Sequence, residues 1–121
     1  MADTKLQGRW GEDLAAAYLK KKKYQLVACN YSCRFGEIDL IAESRSHIVF
    51  VEVKSRKDAR FAQAREFVTP SKQRKLAATA ALWLAKNPTE KPARFDVIEV
   101  YGTDGAVHSI NHIENAFEVE A

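Results

Sequence analysis

Cysteine is scarce in this 121-residue sequence, and what there is does not build a metal site. Cys29 and Cys33 form one C-x3-C pair, no second pair exists, and His47, His108 and His112 are scattered. A zinc centre is therefore not expected, and the thiols read as small apolar residues kept reduced in the cytoplasm. A long hydrophobic run is also missing. The longest, Leu76 to Ala85 interrupted by Thr79, is far below a membrane span, and Met1 to Lys5 lacks the apolar core of a secretory signal. No ladder of aromatics for stacking RNA bases is visible, which argues against base-specific readout. Internal repeats and disorder-prone composition are absent too. With 46% hydrophobic and 29% charged residues, the chain suits one compact domain over 1–121, its core about 8–117.

What is present is unevenly distributed charge. Between Lys54 and Lys75 stand eight basic residues (Lys54, Arg56, Lys57, Arg60, Arg65, Lys72, Arg74, Lys75) and two acidic ones, Asp58 and Glu66. That local surplus of six, against a net +3, leaves the remainder of the chain at −3. A basic segment of this kind suits a polyanion, and the same residues are the candidate nucleic-acid contacts, Lys54 excepted.

The pattern of elements reads α-β-β-β-α-β with a further short strand. Gln7 to about Lys22 has helical spacing at Trp10, Leu14, Ala17 and Tyr18, and places Glu12 beside Ala15, Ala16 and Leu19 rather than with the polar residues. Strands are expected over Tyr24–Tyr31, Gly36–Glu43 and His47–Ser55. Arg56 to Thr69 is a long polar connection of the kind that binds ligands. Thr69-Pro70 then marks a helix start, with Leu76, Ala80, Trp83 and Leu84 as its apolar face and Asn87-Pro88 as its end. Arg94–Tyr101 and Val107–Ile113 complete the set. The order implies an α/β protein with a central mixed sheet flanked by helices.

The two strands on either side of Ser44-Arg45-Ser46-His47 carry the chemistry. A hairpin centred between Arg45 and Ser46 pairs Glu43 with Ile48, Ile41 with Phe50, Asp39 with Glu52, and Glu37 with Lys54. Asp39 and Glu52 would face each other about 4.5–5.5 Å apart at Cβ. Two carboxylates so placed among Ile38, Leu40, Val51 and Val53 repel, and desolvation strengthens the repulsion. A divalent cation would neutralise them. Mg²⁺ fits hard oxygen ligands, here Asp39, Glu52 and the carbonyl of Val53, and Mn²⁺ is the alternative. Lys54 would position or help deprotonate an attacking water and offset transition-state charge, while Glu12 and Glu37 are candidates for an outer ligand or a second ion. The constellation suits phosphodiester hydrolysis.

These motifs resemble a known group. Gly11-Glu12, Asn30, Gly36-Glu37-Ile38-Asp39-Leu40-Ile41, Phe50-Val51-Glu52-Val53-Lys54-Ser55-Arg56, Lys72 and Arg94-Phe95-Asp96-Val97 are similar to the PD-(D/E)xK, or restriction-endonuclease-like, nuclease superfamily. More closely they are similar to the small bacterial YraN family, over about Gly8 to Phe117. The resemblance implies a restriction-endonuclease-like α-β-β-β-α-β core and a likeness to archaeal Holliday-junction resolvases. It implies metal binding by Asp39 and Glu52, a catalytic Lys54 and an accessory acid in Glu12. Ile38 stands where the superfamily name places proline.

The expected activity is a Mg²⁺-dependent endonuclease acting on DNA rather than RNA, on branched or otherwise structured substrates. A domain this small would need a second copy of itself or a protein partner to choose a target, and no membrane contact is expected. The competing reading is a non-catalytic nucleic-acid-binding module of the same fold, using the same basic stretch.

Overall fold

The structure is a computed structural model and describes residues 4–56, 68–103 and 106–118. Helix α1 (Thr4–Lys21) is followed by strands β1 (Gln25–Cys33), β2 (Gly36–Glu43) and β3 (Ile48–Arg56). Helix α2 (Pro70–Lys86) then leads to β4 (Ala93–Thr103) and β5 (Ala106–Ile113). The five strands lie in sequence order in one sheet, β3 and β4 parallel and every other pair antiparallel. A parallel pair cannot be joined by a tight turn, and the connection from β3 to β4 accordingly contains α2. The mixed α/β architecture and the element order are those expected, final strand included. None of the described helices is long and apolar enough to cross a membrane.

The two helices cover opposite faces. Ile41, Ile48, Phe50 and Val97 pack with Leu76, Ala80 and Trp83 of α2, while Leu40, Ala42, Val49, Val51, Ile98 and Val100 pack with Ala15 and Leu19 of α1. Neighbouring residues of β2 and β3 thus go to different cores, so Ile48 to Val51 is buried throughout. Phe50 meets Trp83 edge-on at 5.9 Å and stacks on Phe95 at 5.6 Å, giving the α2 side an aromatic centre.

Each helix end has a local cause. At the start of α2 the Thr69 side chain accepts from the Lys72 N–H, and Pro70 occupies a position whose N–H has no helical partner to lose. Asn87 closes the other end, its N–H bonded to the Trp83 and Leu84 carbonyls. Helix α1 stops without glycine or proline. Lys23 adopts φ +74°, and the Lys23 and Tyr24 N–H groups bond back to the Lys20 and Leu19 carbonyls. The buried line of α1 is Gly11, Ala15 and Leu19, with Trp10, Leu14 and Tyr18 at its margins and Ala17 exposed. The periodicity had centred the buried face about one residue away. Gly11 explains the offset. A Cβ there would collide with the Ser55 hydroxyl and crowd the Ser55 Cβ at 3.1 Å, so glycine eases the close approach of α1 to β3.

Candidate metal and nucleic-acid site

The hairpin register is as expected near the turn and ends sooner. Glu43 pairs with Ile48 and Ile41 with Phe50, and the β2–β3 ladder stops at Leu40–Val51. Beyond it β2 stays paired with β1 down to Gly36–Cys33, and β3 stays paired with β4 up to Arg56–Tyr101. The sheet therefore forks. Asp39 and Glu52 are not ladder partners, and Glu37 is paired with Ser32 of β1 rather than with Lys54. The physical reason is visible in the Asp39 side chain: its Oδ2 accepts the Val53 N–H at 2.8 Å, a donor that ladder pairing would otherwise claim.

The fork opens into a cavity of about 400 Å³. Gly36, Glu37, Asp39 and Glu52 form one wall, and Thr69, Ser71, Lys72, Lys75 and Leu76 from the first turns of α2 form the other. Gly36 is at φ +154°, a backbone angle that side-chain-bearing residues rarely adopt, so a side chain there would be strained although a Cβ would only touch the Thr79 hydroxyl. One wall is acidic and the other basic. Between them Glu52, its side chain only 10% exposed, receives two ammonium groups on the same oxygen: Lys72 Nζ at 2.6 Å and Lys54 Nζ at 3.3 Å from Oε1.

The electrostatics follow from this crowding. Asp39 is pushed up to about 7, first by burial and then by the Glu52 charge, against the opposing Val53 hydrogen bond. Glu12 is also raised, by burial and then by Glu37, Asp13 and Glu52, and its Oε1 is sealed from solvent without a hydrogen-bond partner among the described residues. The two lysines shift in opposite directions although they touch one oxygen. Burial and then the neighbouring Lys72 ammonium lower Lys54, whereas Lys72 is raised because its bond to Glu52, its contact with Lys54 and the charges of Glu52 and Asp39 together exceed its own desolvation. The lysine with the closer contact keeps its proton more firmly.

Asp39, Glu52, Lys54, Lys72, Glu37 and Glu12 thus share one neighbourhood, drawn from β2, β3 and the two helices. Lys75 lines the cavity, and Arg74 is exposed on α2. Arg56 is only partly exposed, with Nε shielded from solvent. Lys57, Arg60 and Arg65, expected as nucleic-acid contacts, lie outside the described residues. Lys72 had been expected only as a phosphate contact; its bond to Glu52 depends on how α2 returns over the sheet, for which the sequence carries no local signal.

The residues fit a hard divalent cation in donor type, and the Glu12 oxygen without a partner beside two crowded carboxylates is what such an ion would relieve. They fall short of a closed cage. Among the described residues, no three carboxylate, histidine or cysteine side chains converge as a ligand set.

A small mixed α/β protein with a bipolar cleft in a forked sheet is the class these features define. The chain belongs to the uncharacterised protein family UPF0102, the YraN family, whose sequence profile matches residues 11–100. Similar UPF0102 proteins include one from Geotalea uraniireducens, 45% identical over 98% of this chain and 94% of its own. One from Syntrophomonas wolfei is 47% identical over 91% of this chain and 96% of its own, and one from Pelobacter propionicus 40% identical over 97% and 86%.

Proposed function

We propose that this protein is a Mg²⁺-dependent endonuclease that hydrolyses phosphodiester bonds in DNA, with branched or structured DNA as its substrate class. The observation that carries the reading is the fork. Two carboxylates, Asp39 and Glu52, are desolvated side by side at the mouth of a cavity whose other wall is the basic start of a helix. A pure binder of polyanions gains nothing from buried acids that repel phosphate.

In this reading Asp39, Glu52 and the Val53 carbonyl hold the cation, which when bound would polarise the scissile phosphate and acidify a water. The chain's own groups do the rest. Lys54, lowered by burial, orients the attacking water and is suited to accept its proton. Glu12 and Glu37 supply further oxygens from α1 and β2. Lys75 and Arg74, with Lys57, Arg60 and Arg65, meet the nucleic-acid backbone, and the α2 N-terminus adds its own positive end. Free Cys29 and Cys33 suit the cytoplasm. Target choice falls to a second copy or a protein partner.

A non-catalytic nucleic-acid-binding module is the second reading. It is favoured by the two ammonium groups already on Glu52 and by the lack of a three-ligand cluster among the described residues.

One experiment separates the two. Linear, flapped and four-way-junction DNA and structured RNA are incubated with the protein and Mg²⁺, Mn²⁺ or EDTA, alongside Asp39→Asn and Lys54→Ala. Metal-dependent cleavage of DNA, lost in both variants while binding is kept, is the expected result. Binding without cleavage on every substrate would establish the module instead.

A further inference from the structure

The cavity contains one contact that spans its two walls, and the cation reading of Asp39 and Glu52 gives it a role. We propose that Lys72 is the resident counter-ion of Glu52: its ammonium occupies the carboxylate oxygen that a divalent cation takes, and the cation must displace it to bind. The inference rests on the cation site proposed above and adds a competitor built into the fold.

Three observations lead to it. Lys72 Nζ is 2.6 Å from Glu52 Oε1, a full charge-assisted hydrogen bond, while Lys54 reaches the same oxygen only at 3.3 Å. An ammonium at that distance fills the approach to the oxygen, and a dication brought to the same atom would be strongly repelled by it at short range. Lys72 also comes from another element. Thr69 anchors its backbone through the Lys72 N–H at 3.2 Å, leaving a flexible four-carbon stem, and its side chain is 36% exposed against 22% for Lys54. The ammonium therefore has somewhere to go, because Thr69, Ser71 and Lys75 line the cavity it would enter.

The direction of the charge change agrees. Lys54 and Lys72 already meet the Glu52 carboxylate, with Asp39, Glu12 and Glu37 close by. Release of Lys72 from Glu52 moves one positive charge away from an arriving dication and toward the side of the cavity where an anion would enter.

The test needs no nucleic acid. Mn²⁺ alone is titrated by calorimetry into the unmutated full chain and into Lys72→Ala, Lys72→Met, Lys72→Arg and Lys75→Ala, with thermal unfolding recorded with and without Mn²⁺. Lys72→Ala and Lys72→Met are expected to bind Mn²⁺ roughly tenfold more tightly or better, the worth of one charged hydrogen bond no longer broken. Both should melt lower than the unmutated chain without Mn²⁺ and gain more from it. Lys72→Arg keeps the charge and should stay within about threefold of the unmutated chain. Lys75→Ala removes a nearby charge and should change affinity by less than about threefold.

Equal or weaker Mn²⁺ binding by both neutral Lys72 variants, beside a binding unmutated chain, overturns the inference and leaves the cation site standing. So does a Lys75→Ala effect as large as that of Lys72→Ala, since general proximity would then explain both. Absence of Mn²⁺ binding by all of these proteins removes the cation site and the inference with it. Should Lys72→Ala fail to fold, the methionine variant, which keeps the apolar stem, decides.

Discussion

Two aspartates in the same sheet meet burial in opposite ways. Asp96 on β4 is fully buried, yet every direction around it holds a donor: Arg94 binds both its oxygens at 2.8 Å, His112 Nε2 lies 2.7 Å from Oδ2, and the Asn115 N–H reaches Oδ1 at 3.0 Å. Burial alone would raise its pKa, but the bonds from His112, Arg94 and Asn115 hold it below the ordinary carboxylate range. The network continues outward. A carboxylate only accepts, so His112 Nε2 donates to it, which leaves Nδ1 to accept from the Tyr18 hydroxyl at 3.2 Å in the neutral ring. Arg94 also donates to the Tyr24 hydroxyl at 2.8 Å. Asp96 thereby ties together α1, the residue before β1, β4, β5 and the segment after it. Asp39 is set between Glu52 and a single backbone N–H, and is pushed up to about 7. A buried acid whose partners are all inside the protein holds the fold together. One crowded by a like charge, as Asp39 is by Glu52, is what the proposed cation would relieve.

Removing each acid in turn should have opposite effects on stability. Asp96→Ala should cost about 3–5 kcal/mol, because it leaves Arg94 and its neighbours buried around a missing charge; the shift in urea midpoint at constant slope reads it directly. Asp39→Asn should do the reverse. Without divalent cations at pH 8 it should stabilise by roughly 1–3 kcal/mol, since the amide keeps an acceptor for Val53 and loses the repulsion with Glu52. A loss comparable to that of Asp96→Ala would make Asp39 a structural acid as well.

The pH dependences should also differ in sign. Asp39 has a folded-state value above the unfolded 3.8, so the folded chain binds more protons between about 4 and 7. Stability from this group therefore falls as pH rises through that window. For Asp96, whose folded-state value is depressed, stability is full above the unfolded value and is lost as pH falls through the folded one. For cation binding, protonation of Asp39 competes with the ion, so Mn²⁺ affinity should drop by about tenfold per pH unit below about 7. A pH-independent affinity between 5 and 7 would remove Asp39 from the ligand set.

The smallest effect is expected at the surface. Lys91 pairs with Glu43 at 3.2 Å, both about a third exposed, and Lys91→Ala should change stability by less than about 1 kcal/mol.

Much of the fold was legible because local chemistry decided it. Thr69-Pro70 and Asn87 bound α2 where the sequence put its ends, and the Ser44–His47 turn fixed the register at Glu43–Ile48. What stayed hidden depended on side chains reaching across elements. Asp39 taking the Val53 N–H ends a ladder that strand periodicity would extend, and no spacing rule anticipates it. The end of α1 near Lys22 was legible, but not its means: Lys23, in a run of four lysines, takes the left-handed conformation usually left to glycine. The burial of Asp96 and Glu99 was not anticipated from the strand pattern. They are buried because Arg94 and His112 meet the first, and Tyr101 and Asn111 the second at 2.5 and 2.7 Å. For the candidate site, the sequence supplied Asp39, Glu52 and Lys54 and their common neighbourhood, while the bond between Lys72 and Glu52 came only with the tertiary arrangement.

The parting of β2 from β3 has one more consequence. Past Leu40 and Val51 the backbone ladder between the two strands ends; the Val53 N–H still reaches across to the Asp39 side chain, but the backbone of each strand is held by its outer neighbour, β1 on one side and β4 on the other. The separation of the two acids is thus gauged from outside, like the jaws of a calliper set by its frame. Substitutions at Tyr31 or Cys33 on one arm, or at Val97 or Ile98 on the other, would reset that gap without touching anything inside it.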